Sequence, residues 1–166
     1  MLFLLRHAAV TLVVTGNFLS FQRRRPDALA LFARAAAAAP RYAYPHSLRG
    51  AELALLDRRG EARQAYRAAL AVDPRHYRAW CGLAALCEGA AEAAQAQSYA
   101  TVAARTHPNS AAVRIALGKT LVARGALEDA AKVFDQVRGA KHDSKHVMTD
   151  FTMDITPTKP EILQPC

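Results

Sequence analysis

Three prolines, Pro40, Pro74 and Pro108, recur at a spacing of 34 residues, twice in succession. One such spacing could be chance, so the residues around the prolines must keep the same period. With each proline set at position 32, the chain divides into units 9–42, 43–76, 77–110 and 111–144. Position 8 then holds Gly16, Gly50, Ala84 and Gly118, and position 20 holds Ala28, Ala62, Ala96 and Ala130. Position 24 holds Phe32, Tyr66, Ala100 and Phe134, and position 27 holds Ala35, Ala69, Ala103 and Val137. Position 11 is apolar throughout, with Leu19, Leu53, Cys87 and Leu121. Small residues let two antiparallel helices approach closely. Bulky residues fill the space between one helix pair and the next. The proline ends the second helix because it has no N–H to donate. A single pair cannot bury its apolar face alone, so the pairs must stack.

This period and these positions are those of the tetratricopeptide repeat. The reading is an all-α right-handed superhelix of four helix pairs, covering residues 1–144. The approximate helices are 9–21, 26–38, 43–57, 60–72, 77–89, 92–105, 111–124 and 127–138. Residues 145–166 form a degenerate repeat remnant and loose tail, with Pro157, Pro160 and Pro165. Three positions depart from the pattern. His142 stands where the fourth proline belongs, Arg49 occupies a normally apolar position, and Ala100 replaces a bulky residue. Looser packing is expected around Ala100.

Composition agrees with helix stacking. The chain is 52% hydrophobic but only 7% aromatic, and alanine, the best helix former, supplies much of the apolar content. The net charge of +8 raises nucleic acid as a partner. However, the arginine runs Arg23-Arg24-Arg25 and Arg58-Arg59 have no interleaved aromatics for base stacking, and they read as solvated helix faces. No nucleic acid partner is expected. Met1–Ser20 is apolar, but Arg6 and His7 interrupt it early, so it reads as the first repeat helix rather than a signal peptide or membrane span. No membrane association is expected. Cys81, Cys87 and Cys166 are odd in number and lack a C-x-x-C spacing, which points to a reducing compartment.

Nothing in the chain reads as an enzyme. There is no glycine-rich phosphate loop and no nucleophile elbow. Asp57, Glu61, Glu92, Glu128 and Asp129 read as helix-terminal capping groups rather than acid–base catalysts. His142 and His146 could share a helix face as metal ligands, but no third ligand presents itself, so neither metal nor cofactor is expected.

Function is placed on the concave face, lined by positions 2, 5, 9 and 12 of each first helix. These are Val10, Val13, Asn17 and Ser20, then Tyr44, Ser47, Ala51 and Ala54, then Arg78, Cys81, Ala85 and Glu88, then Ala112, Ile115, Lys119 and Val122. The surface is mostly small and apolar with a few polar groups, which suits an extended peptide. Asn17 can donate and accept hydrogen bonds, and Arg78 can take a carboxylate with two.

One family fits beyond the general repeat. Gly16, Asn17, Ser20 and Gln22 form GN-x-x-S-x-Q. Tyr42-Ala43-Tyr44 and a G-x-E at Gly50 and Glu52 follow one repeat later. Asp73–Leu83 reads DPRHYRAWCGL. The HY-x-A-W string is not required by the repeat itself. Together these resemble the C-terminal repeats of the tetratricopeptide scaffold subunit of the anaphase-promoting complex that receives coactivators, over about 70 residues. The resemblance implies a non-catalytic part of a multi-subunit ubiquitin ligase of mitotic progression, acting in the nucleus and cytoplasm. Its partners would be other subunits of that complex and the C-terminal Ile-Arg tail of a coactivator. Asn17 sits at the family's groove asparagine, and Glu52 matches the glutamate that would pair with the tail arginine. Arg78 and Cys81 replace the family's asparagine and tyrosine. The implied binding groove is therefore Asn17, Tyr44, Ser47, Glu52, Arg78 and Cys81. The family's homodimerisation half has no counterpart in this sequence. Two other readings stay open: a repeat scaffold with another protein partner, and a co-chaperone-like clamp for an acidic C-terminus. For the clamp, Asn17 and Arg78 comply, but Val13, Leu48 and Gly82 do not.

Overall fold

The computed structural model describes the backbone of residues 2–87 and 92–148, and the side chains of residues 7–87 and 92–138. Among the described residues, eight helices follow one another: α1 (Leu2–Phe21), α2 (Arg25–Ala38), α3 (Ala43–Leu55), α4 (Arg59–Val72), α5 (Tyr77–Leu86), α6 (Ala93–Thr106), α7 (Ala111–Ala123) and α8 (Leu127–Met148). No strand occurs among the described residues. Consecutive helices pack as pairs, and each second helix packs on the first helix of the next unit. The first helices also touch along the stack, α3 on α5 and α5 on α7. The fold is the all-α tetratricopeptide stack that the 34-residue period implies.

The prolines act as stop signals. α2, α4 and α6 end two residues before Pro40, Pro74 and Pro108. The unit that has His142 instead of proline lacks such a stop, and α8 runs on to Met148, past the expected end at 138. The helix thus enters the segment 145–166 expected to be a degenerate remnant and loose tail. The remainder of that segment, from 149, lies outside the described residues. At the other end, α1 starts at Leu2, seven residues before the predicted boundary at 9.

Position 24 locks the pairs together. A Cβ added to Gly16 would lie 2.5 Å from the Phe32 ring, and one added to Gly118 would lie 2.5 Å from the Phe134 ring. Tyr66 does this twice. Its ring would meet a Cβ on Gly50 of its own unit at 2.8 Å, and it would also meet one on Gly82 of the next unit. These glycines are required by close approach, not by backbone conformation. The core follows the same logic, with Ala28, Phe32, Leu53, Ala62, Tyr66, Ala69, Ala79 and Leu83 all at or below 5% exposure.

The turns inside units 1, 2 and 4 share a geometry that periodicity did not announce. Arg23, Asp57 and Gly125 all stand at position 15, with φ of 65°, 59° and 76°. The residue after each donates its N–H back across the turn, Arg24 to Leu19 O, Arg58 to Leu53 O and Ala126 to Leu121 O, at 2.9, 2.9 and 3.0 Å. This is the left-handed helix stop that satisfies the last carbonyls of a helix. Glycine suits it without strain, whereas Arg23 and Asp57 adopt a conformation that costs L-residues about 1 kcal/mol.

The acidic residues at helix ends sit where expected but do not cap by side chain. α2 to α7 have no side-chain N-cap bond. Instead, Arg58 forks onto Glu61 with two bonds of 2.7 Å, and Glu92 meets Arg63 of the preceding unit at 3.4 Å. Glu61 still gains from the helix dipole, since it lies in the first turn of α4.

Candidate peptide-binding groove

The first helices carry the predicted groove residues, but not all of them as open surface. Asn17 is exposed on α1. Its amide is committed to no bond among the described residues, so both its donor and its acceptor are open to solvent.

Tyr44 is half-buried at the start of α3. Its ring lies 6.1 Å from Tyr42 and 6.3 Å from His76, edge-on to the latter. The Arg78 guanidinium sits 5.4 Å from the Tyr44 ring centre and 5.9 Å from that of Tyr77. A cation above aromatic faces is held by about 0.5–1 kcal/mol at such exposed sites. This orients the guanidinium without consuming its N–H donors. Arg78 forms no ion pair among the described residues, so those donors remain free for a carboxylate.

Ser47 does not line the groove. It is 3% exposed, and its hydroxyl donates to Tyr44 O at 2.8 Å. His76 Nε2 lies 2.8 Å from Ser47 Oγ. Position 5 of α3 is covered because the next unit enters directly over it through His76. The same burial holds for Val13, at 4% exposure. Ser47, His76 and Asp73 are a trio that a search for nucleophilic catalysis would pick out. The geometry points to a structural role instead. The Ser47 proton is already spent on Tyr44 O, so His76 donates to Ser47 and cannot act as its base. Asp73 stands 3.9 Å from His76 Nδ1, beyond hydrogen-bond reach. Burial holds His76 below its ordinary pKa, with Asp73 pulling the other way.

Glu52 is also buried, at 5% exposure. It accepts a 2.5 Å bond from the Ser20 hydroxyl and pairs with Arg25 at 3.3 Å. Stacking explains this. Position 10 of one unit faces the preceding unit, and unit 1 offers both a hydroxyl and a guanidinium there. A ligand arginine reaching Glu52 would therefore have to share or displace Arg25. The sequence pattern ranked neither Ser20 nor Arg25 as a partner of Glu52, because the three residues are joined only by stacking.

Cys81 is half-buried on α5. Burial pushes its thiol up to about 11, against the opposing pull of Arg78. It is a protonated, weakly nucleophilic thiol at neutral pH. It lines a pocket of about 150 Å³ between α5 and α7. Cys87 is buried, and Cys166 lies outside the described residues. No group of three His, Cys, Asp or Glu residues is placed to hold a metal among the described residues. The side chains of His142 and His146 lie outside them. No helix among the described residues is long and apolar enough to cross a membrane.

Comparison with known proteins agrees with this architecture. The family described as tetratricopeptide repeat matches residues 89–147. Among curated proteins, the chain is 34% identical over 96 residues to protein bimA of Emericella nidulans, covering 58% of this chain and 12% of that one. It is 41% identical over 68 residues to the cell division cycle protein 27 homolog of Caenorhabditis elegans, covering 41% and 9%. It is 27% identical over 138 residues to anaphase-promoting complex subunit 3 of Schizosaccharomyces pombe, covering 83% and 20%. The chain thus spans a fifth or less of the length of these relatives. Among solved structures, the tetratricopeptide protein TTC0263 of Thermus thermophilus superposes with a TM-score of 0.71 at 20% identity, over 78% of this chain and 73% of that one. A MamA structure superposes at 0.66 and 16% identity, over 83% and 81%. These neighbours speak to fold alone. The chain is a tetratricopeptide-repeat stack, and its sequence is similar to that of proteins named as cell division cycle protein 27 and anaphase-promoting complex subunit 3.

Proposed function

We propose that the chain is a non-catalytic scaffold segment of an anaphase-promoting complex, a ubiquitin ligase of mitotic progression in the nucleus and cytoplasm, and that its groove receives C-terminal Ile-Arg tails of coactivators. The observation that carries this reading is the similarity to two proteins named for that complex and its cell-division role. The groove chemistry supports it in part. Asn17 is open to a tail carboxylate, and Arg78 is held by Tyr44 and Tyr77 with its donors free. Glu52 supports it less directly, since Arg25 already neutralises its charge. The other subunits of the complex are the expected neighbours along the stack.

Fluorescence anisotropy with a labelled peptide ending in free Ile-Arg tests this reading. An Ile-Arg-amide peptide is the control. The free carboxylate should bind at least ~10-fold tighter than the amide, about 1.4 kcal/mol, and Asn17→Ala should remove that preference. Equal binding of both peptides, or an Asn17→Ala protein that discriminates as well as the parent, would sink the tail-binding role.

A further inference from the structure

The α5–α7 pocket has a structural origin that indicates what fills it. In unit 2, the Tyr66 ring occupies the space over position 8 of its own unit, Gly50, and position 6 of the next, Gly82. The corresponding positions around Ala100 are Ala84 and Ala116, and both line the pocket. Unit 3 therefore lacks a ring where the stack has room for one. The methyls of Ala84 and Ala116 take up part of that room. What remains is about 150 Å³, bounded also by Cys81, Ile115, Lys119 and Thr120. A space of about that volume suits a benzene-sized guest, and this one is open to the concave face. Besides Lys119, the polar side chains that line it are those of Thr120 and Cys81. The Thr120 hydroxyl is spent on Leu117 O at 2.8 Å, and the Cys81 sulfur is a weak donor.

Among the described residues, the charged side chains of α5 and α7 are of one sign. α5 and α7 contain Arg78, Arg114 and Lys119 and no carboxylate, and none of the three cations is ion-paired among the described residues. Elsewhere in the chain, arginines near carboxylates do pair, as Arg24, Arg25, Arg58 and Arg63 show.

We infer that this pocket is a second docking subsite, which takes the phenylalanine ring of an acidic extended peptide and so replaces in trans the aromatic that unit 3 lacks. The ring enters between Ala84 and Ala116, and flanking carboxylates meet Lys119 and Arg78. The inference rests only on the concave face being a peptide surface. It does not require the Ile-Arg tail.

The test uses fluorescein-labelled Glu-Asp-Phe-Glu-Asp, with Glu-Asp-Ala-Glu-Asp and Lys-Lys-Phe-Lys-Lys as controls, in anisotropy titrations at two salt concentrations. The acidic phenylalanine peptide should bind at least ~10-fold tighter than its alanine twin, and the basic peptide should bind most weakly. Ala116→Leu plugs the pocket with the residue type that unit 2 carries at the same position, Leu48, and should remove the phenylalanine advantage with an unchanged thermal midpoint. Lys119→Glu, on an exposed side chain that cannot disturb the core, should weaken the acidic peptide ~3-fold or more. No difference between the phenylalanine and alanine peptides, or full binding by Ala116→Leu, overturns the subsite. Equal binding of the acidic and basic peptides overturns the acidic partner. Concentration-dependent self-association lost in Ala116→Leu would assign the pocket to a second copy instead. Loss of Ile-Arg binding alone, with the phenylalanine result intact, would count against the proposed function and not against this site.

Discussion

The junction between units 2 and 3 and the junction between units 3 and 4 solve the same packing problem in opposite ways. At the first, Tyr66 wedges its ring between two glycines. At the second, Ala100 is fully buried and small, Ala84 and Ala116 carry methyls where glycines would have stood, and a pocket opens toward the groove. The exchange of one ring for scattered methyls keeps the helices together but moves volume from the core to the concave face. A repeat stack can thus turn one missing side chain into a cavity on its binding surface, because every junction reuses the same positions. A third junction, between units 1 and 2, carries a buried polar bridge. Glu52, Ser20 and Arg25 bridge units 1 and 2 inside the core.

If the ring is what distinguishes the junctions, its removal should be the most damaging change. Tyr66→Ala should destabilise the chain by about 4 kcal/mol, the range for truncating a buried aromatic, whereas Ala100→Gly should cost about 1 kcal/mol through helix propensity. Urea titrations of both variants measure this, and equal losses would break the comparison. The polar bridge ranks next. Glu52→Ala leaves Arg25 without its carboxylate in a largely buried site and should cost about 2 kcal/mol. This is below the usual loss for a buried pair, because Arg25 retains 18% side-chain exposure. A loss under about 0.5 kcal/mol would show that the bridge contributes nothing net. The smallest effect tests the turns. Arg23→Gly should stabilise by up to about 1 kcal/mol, since the left-handed position costs glycine nothing sterically. A destabilised Arg23→Gly, read by thermal melting, would mean that the Arg23 side chain compensates for its backbone.

Most of the architecture was legible in the sequence because the repeat writes it locally and four times over. Proline positions announced where second helices stop, small residues announced where helices touch, and Ala100 announced the loose junction. The site was only partly legible. Asn17 and Arg78 could be placed on the groove because helical spacing alone sets which way they face. Ser47 and Glu52 were read as groove residues and proved to be core. Their burial depends on what the neighbouring unit puts over them, His76 in one case and Ser20 with Arg25 in the other. Those partners lie 27 to 32 residues away in sequence.

The sequence by itself determined that this chain forms antiparallel helix pairs in a 34-residue register, since i, i+4 periodicity, glycine and alanine at close contacts, and proline stops act within a turn or two of the backbone. Tertiary structure alone decided which polar groups are buried, where Arg23 and Asp57 take a left-handed conformation, how far α8 continues, and that a ring-sized pocket opens beside Cys81. The physical reason is range. Helix formation sums short-range preferences that each residue carries with it. Burial, pairing and cavity volume depend on the surface that an adjacent unit presents, and that surface exists only once the units have stacked.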